Sequence, residues 1–212
     1  MTWQADAGAF TGGIGLLERA FGYTLGSLDL VTPGAMSNPT PCAGWGLRAL
    51  LRHMNDSLLA VHEAMAAGQV GLDPPPAEAD PAGDCGDPQA DPVGVLRNRG
   101  CRMLGAYVNA SGPGRVAIAD RSLGLTIVAA TAAVEIAVHG WDVARACGQD
   151  RPIPSALASE LLELCPLFVS DADRVSRFGA PVPVSGSASA GDRLLAYLGR
   201  DPAWRPAIPG AA

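Results

Sequence analysis

Apolar side chains recur at intervals of three and four along most of this chain, the repeat that gathers them on one face of an α-helix. From about Ala5 to Val31 the stripe is Phe10, Ile14, Leu16, Leu17, Ala20, Phe21, Leu25 and Leu28. Thr32-Pro33-Gly34 breaks it, and Asn38-Pro39-Thr40-Pro41 keeps the following segment extended, since a residue before proline is pushed out of the helical region. A second helix is expected from about Trp45 to Ala67, with Leu47, Leu50, Leu51, Met54, Leu58, Val61 and Met65 on its apolar face and Gly68 past its end. A third opens on Asp91 as N-cap with Pro92 in its first turn and runs to about Asn109.

The fourth helix is expected from Leu123 or Leu125 to Cys147, closed by Gly148, and it is almost wholly Ala, Val and Ile around a few polar positions. A fifth starts at about Ser155, as N-cap, and continues to about Ala172. A short one from Ala190 to Leu198 stops at Gly199. Strand alternation is nearly absent. Val116-Ala117-Ile118 is a brief extended candidate, and Phe178 to Val184 is extended around its prolines. Four or five long helices with long connections give a mainly all-α fold, a bundle with crossover loops. The longest connection, Gly71 to about Asp91, is rich in proline and aspartate and long enough to carry function.

Composition narrows the function classes. Of 212 residues 48% are hydrophobic and 17% charged, which supplies a core and excludes a disordered chain. The net charge is −6, and every one of the 15 basic residues is arginine, none of them in a basic run. Such a chain is poorly suited to neutralise phosphates, so neither nucleic acid nor an anionic membrane surface is the expected partner. The longest uncharged apolar stretch, Leu123 to Val134, falls short of the roughly 20 residues a bilayer span needs. Arg19 is the first basic residue, so a signal peptide's charged start is not expected. Five cysteines without a Cys-x-x-Cys pair suggest neither a zinc finger nor a disulfide framework, and point to a reducing cytoplasm.

Candidate chemistry concentrates on the fourth helix. His139 comes four residues after Glu135 and lies about 40° from it round the helix, and Asp142 comes seven after Glu135 and lies about 20° off in the other direction, so all three line one stripe. On a helix this apolar the stripe is expected to face inward, where a carboxylate and an imidazole need a partner or a metal. Glu135 and His139 offer one oxygen and one nitrogen, and His53 in the second helix is the natural third donor. His62, nine residues on, lies about half a turn round that helix and cannot share the site. The plain alternative is a surface Glu–His pair at helical spacing, with His53 as a hydrogen-bonded core residue. Asp142 either fixes the tautomer of a ligand histidine or balances Arg145. Cys42, shortly before the second helix, is either a thiol of lowered pKa at the pocket mouth or a small buried apolar residue. Trp45 and Trp141 are expected in the core or the pocket wall, and Cys147 is too far along the stripe to be a ligand.

Three stretches resemble one known family. Thr40-Pro41-Cys42-Ala43-Gly44-Trp45 followed by Leu50-Leu51-Arg52-His53 looks like the entry to the second helix of the mycothiol-dependent maleylpyruvate isomerases, part of the DinB-like superfamily of metal-binding four-helix bundles. Glu135 to Gly148 is similar to their fourth-helix signature, and Phe178-Gly179-Ala180-Pro181-Val182 with Arg193 to Pro202 looks like their close. The resemblance implies a DinB-like bundle over 1–175 with a small C-terminal α+β extension over 176–212. It also implies a divalent metal on His53, Glu135 and His139. The chain departs from the family at Ala49, where an acidic residue is common, at Cys147, where threonine is more usual, and in the unmatched loop from Gly71 to Asp91.

Two imidazoles and a carboxylate leave a tetrahedral ion one open position, the catalytic type of site. The set suits Zn²⁺ first, with Ni²⁺, Fe²⁺ and Mn²⁺ also compatible. The resemblance implies metal-assisted thiol chemistry, with mycothiol as cosubstrate and a small electrophile as partner: S-transfer or isomerisation. Asp142 is then the catalytic candidate, and Cys42 and Trp45 the candidates for cofactor binding. The other readings are an enzyme that activates water or acts as a Lewis acid without a thiol (hydrolase, lyase or cyclase), or an idle binding module. A cytoplasmic monomer or homodimer is expected.

Overall fold

The computed structural model describes residues 3–70, 87, 89–109, 114–118, 121–174 and 178–206. Most of the long loop from Gly71 to Asp91, including Cys85, lies outside them. The fold is mainly helical, in the order α1 (Trp3–Leu28), α2 (Leu47–Ala67), β1 (Gln69–Val70), α3 (Pro92–Asn109), β2 (Arg115–Ile118), β3 (Arg121–Gly124), α4 (Leu125–Ala146), α5 (Ser155–Leu164), α6 (Asp171–Arg174) and α7 (Ala190–Tyr197), with short 3₁₀ turns at Pro33–Ser37 and Cys165–Leu167. The chain divides into two compact units, Met1–Phe21 with Leu51–Ala133, and Gly22–Leu50 with Val134–Ala212.

In the first unit Leu16, Leu17, Ala20 and Phe21 of α1 and Leu51, Met54 and Leu58 of α2 are buried as expected, and they are joined there by Val95, Leu96 and Met103 of α3 and by Val128 to Ala133 of α4 except Thr131. Gly100 is required by this packing, because a side chain there would overlap the Phe21 ring. Asp91 caps α3 as predicted, its Oδ1 accepting from Gly94 N–H at 2.8 Å. Buried Asn55 on α2 donates to Leu51 O and Pro92 O, tying α2 to the start of α3. The expected extended piece at Val116 is the centre of a three-stranded sheet, parallel to β1 and antiparallel to β3. Strand β3 has no counterpart in the sequence pattern. It carries no alternation, and it leads straight into α4 at Gly124–Leu125.

The second unit contains the site. Here α4 lies so close to the end of α1 that a Cβ at Gly140 would meet Thr24, whose Oγ1 donates to Ile136 O at 2.8 Å. Over its most apolar 18-residue window α4 is 83% buried, so its hydrophobicity is spent inside the protein. It ends in a Schellman turn: Gly148 takes φ +74°, Gln149 N–H reaches Ala144 O and Gly148 N–H reaches Arg145 O. The fifth helix is shorter than expected. It stops at Leu164 because Pro166 has no N–H to continue the ladder, and α6 resumes only for a turn. Pro154, not Ser155, occupies its N-cap position. Leu157, Ala158 and Leu161 are buried where α5 packs on α7. From 181 to 184 the chain belongs to neither a helix nor a strand, and Val182 N–H donates to Ala196 O at 2.9 Å.

Candidate metal centre

The site is built on the middle of α4, where the i, i+4, i+7 spacing brings Glu135, His139 and Asp142 together. His139 is buried and sits between the two carboxylates: Nδ1 is 2.9 Å from Asp142 Oδ2, and Nε2 is 3.4 Å from Glu135 Oε1. Asp142 has no exposed surface, whereas the Glu135 side chain keeps 31% of its own. Of the two roles open to Asp142 in the sequence, the geometry selects the partner of His139. Arg145 pairs instead with Asp150, at 2.9 Å, and stacks on buried Trp141.

A loop from Pro39 to Gly46 closes over this helix. It is pinched by a Pro39–Gly46 bridge, by Thr40 Oγ1 donating to Trp45 O at 2.9 Å, and by Gly44 at φ +81°. Trp45, expected at the start of α2, is therefore in the loop. Its indole stacks on the His139 imidazole with centroids 6.5 Å apart and planes 19° from parallel, and 36% of its surface is open. Cys42 is half-buried in the same loop.

The residue that sequence reasoning missed is Arg200. It follows Gly199, which takes φ +80° as the left-handed cap of α7, with Arg200 N–H on Leu195 O and Gly199 N–H on Ala196 O. This Schellman turn delivers a buried guanidinium whose Nη2 lies 3.4 Å from Asp142 Oδ2 and 3.6 Å from Cys42 Sγ. Arg200 is 58 positions from Asp142 in the chain, so no spacing rule links them.

The electrostatics follow from these contacts. Burial works against a charged His139, but the hydrogen bonds and charges of Asp142 and Glu135 outweigh it and hold the imidazole up at about 9. Two carboxylates round one imidazole thus demand a cation, and a proton satisfies that demand when no metal does. The Cys42 thiol moves in the direction opposite to the lowered pKa considered from its position. Burial pushes it up, Arg200 pulls it partly back, and Asp142 and Glu135 push it up further, so it stays a neutral thiol.

The donors fit a divalent ion on one side of His139 only. Cys42, His139 and Asp142 offer atoms within 4.8 Å of one another, but Arg200 already supplies the positive charge there. On the other side, the 3.4 Å between His139 Nε2 and Glu135 Oε1 is the separation of two ligands about 2.1 Å from one tetrahedral ion. His53 lies half-buried on α2 within the first unit, as does His62.

On a mainly helical fold, Glu135 and buried His139 thus present neighbouring oxygen and nitrogen donors, with the Asp142 carboxylate on the far nitrogen of the histidine. The chain belongs to the mycothiol maleylpyruvate isomerase N-terminal domain family, whose model matches residues 17–144, more than half of its length. That span holds His53, Glu135, His139 and Asp142, and leaves out Arg200. A mutant of a mycothiol-dependent maleylpyruvate isomerase, known from its crystal structure, shares the fold with a TM-score of 0.54 at 16% sequence identity, over 72% of this chain and 69% of that one. No curated protein matches the chain.

Proposed function

We propose that this protein is a metal-dependent enzyme of mycothiol chemistry, an S-transferase or isomerase acting on a small electrophile in the cytoplasm. In this reading His53, Glu135 and His139 hold a divalent ion, Zn²⁺ by preference. The observation that carries it is the His139 ring clamped by Asp142 on Nδ1 with Nε2 turned to Glu135. This is the arrangement of a ligand histidine with its orienting carboxylate. Membership of the family, and a fold shared with a mycothiol-dependent isomerase, supply the thiol.

When bound, the ion supplies the Lewis acidity that lowers the pKa of a thiol toward neutrality. The chain's own residues do the rest. Asp142 accepts the Nδ1 proton of His139 in a hydrogen bond and so fixes which nitrogen can ligate. Cys42 lies on the Asp142 and Arg200 side of His139, where burial pushes its thiol up, so the attacking sulfur is assigned to the cosubstrate. Trp45 presents a half-open aromatic face beside His139, suited to cover the ring or chain of a bound molecule.

For isomerisation, the thiolate forms a C–S bond to a conjugated double bond, the adduct rotates, and elimination breaks the same C–S bond to return the thiol. For S-transfer, the new C–S bond is kept and a leaving group departs with its electron pair. The test is turnover of a panel of conjugated and alkylating electrophiles by the zinc-loaded protein, with and without mycothiol. Thiol-dependent product is expected with at least one class. Products that form equally well without thiol would favour activated water, and no product at all would favour a binding module.

A further inference from the structure

Arg200 has no assigned role, and its surroundings limit what it can do. The side chain is nine-tenths buried. Its Nη1 donates to Leu198 O at 3.1 Å, Nη2 is shared between Asp142 Oδ2 and Cys42 Sγ, and Nε is buried without a hydrogen-bond partner. Asp142 in turn spends a single oxygen, Oδ2, on both His139 Nδ1 and Arg200. Its Oδ1 is buried with no hydrogen-bond partner. A carboxylate held through one oxygen is free to rotate about its last bond unless a second contact stops it. The 2.9 Å bond to His139 cannot do so by itself, because rotation would bring Oδ1 to the same nitrogen. That half-turn only exchanges two identical oxygens; what Arg200 restrains is every smaller rotation, since it and His139 hold one oxygen from two directions.

We propose that Arg200 is a positioning residue of the metal centre, acting through Asp142 to fix the His139 ring with Nδ1–H toward the carboxylate and Nε2 toward Glu135. The inference rests on the reading of His139 as a metal ligand. At 3.4 Å the contact is an ion pair, longer than the roughly 2.7–2.9 Å of a tight charge-assisted hydrogen bond. The hold is therefore electrostatic, and lysine should restore part of it. The Schellman turn at Gly199 and the bond to Leu198 O anchor the guanidinium to α7. The C-terminal helix thereby becomes part of the metal centre, although it lies outside the span the family model matches.

Two readouts on the full-length chain test this: zinc affinity by chelator competition, and the His139 tautomer in the zinc-loaded protein by long-range ¹H–¹⁵N NMR. With three histidines in the chain, a His139→Gln spectrum assigns the signal. Arg200→Met should weaken zinc binding roughly tenfold, the lower end of what loss of an outer partner costs, and should blur the single Nδ1–H pattern. Arg200→Lys should weaken it by a smaller factor. Arg174→Met removes another guanidinium that braces α7, through Tyr197 O, and should leave affinity and tautomer unchanged. Wild-type affinity and tautomer in both Arg200 variants would overturn the proposal. Should the methionine variant fail to fold, wild-type values in Arg200→Lys alone overturn it. His139→Ala separates the two claims. If that variant keeps its zinc, the metal reading itself fails. If it loses zinc while the Arg200 variants do not, only the role of Arg200 fails.

Discussion

Asp142→Asn keeps the shape of the side chain and removes its charge, and the structure sets what that should cost. The carboxylate is fully buried, and its Oδ2 serves two cations, His139 at 2.9 Å and Arg200 at 3.4 Å. Stripping the partner from a buried charge costs about 3–5 kcal/mol when nothing replaces it. The amide oxygen still accepts a hydrogen bond, at roughly half the strength of a charge-assisted one, and His139 can lose its proton. Arg200 cannot. The balance is a loss of about 2–3 kcal/mol. At about 2–4 °C per kcal/mol for a chain of this size, this lowers the melting temperature by about 4–12 °C. Calorimetry of the metal-free protein at neutral pH reads it directly. In the same variant zinc affinity should fall by about 10–100-fold, because the ligand ring loses its orienting carboxylate. Melting within about 2 °C of wild type would mean that the carboxylate holds neither cation in the folded state.

Other outcomes follow from the packing and the burial of specific groups. Gly140→Ala should destabilise the protein. The gain in helix propensity is at most about 1 kcal/mol, and pushing Thr24 aside costs about 1–3 kcal/mol. A raised melting temperature would show that α1 and α4 are not in close contact there. Burial pushes the Cys165 thiol from its ordinary 9 up to about 12, against a smaller pull from Arg174. The folded state therefore retains a proton that the unfolded state releases. Its contribution to stability is intact below pH 9 and is lost between about 9 and about 12, at on the order of 1 kcal/mol per pH unit. Urea midpoints should fall more steeply in this range for wild type than for Cys165→Ala, and equal slopes would contradict the burial. In the native protein exposed Cys101 should react with an alkylating reagent, while Cys165 is spared until unfolding.

How far the sequence could be read depended on whether partners were near in the chain. The helices were legible because each buries a stripe at three- and four-residue spacing, as Leu51, Met54 and Leu58 do. The stops at Gly68, Gly148 and Gly199 were legible because each takes a positive φ, which glycine alone adopts without strain. Strand β3 was not, since four residues with an arginine and a serine give no alternation to detect. The heart of the site was legible for a similar reason: Glu135, His139 and Asp142 share one helix, and helical geometry alone brings them together. Arg200 was hidden because a turn at the end of another helix delivers it. The behaviour of Cys42 was hidden because burial and two carboxylates decide it, not its position ahead of α2.

The proposed chemistry needs one divalent ion held by His53, Glu135 and His139. Elemental analysis of the purified full-length protein, dialysed against trace zinc and compared with His53→Ala, Glu135→Ala and His139→Ala, decides whether it is there. One ion per chain is expected in the wild type and a large loss in each variant, with circular dichroism unchanged. A wild-type chain that takes up no metal, or single variants that keep a full equivalent, would contradict it.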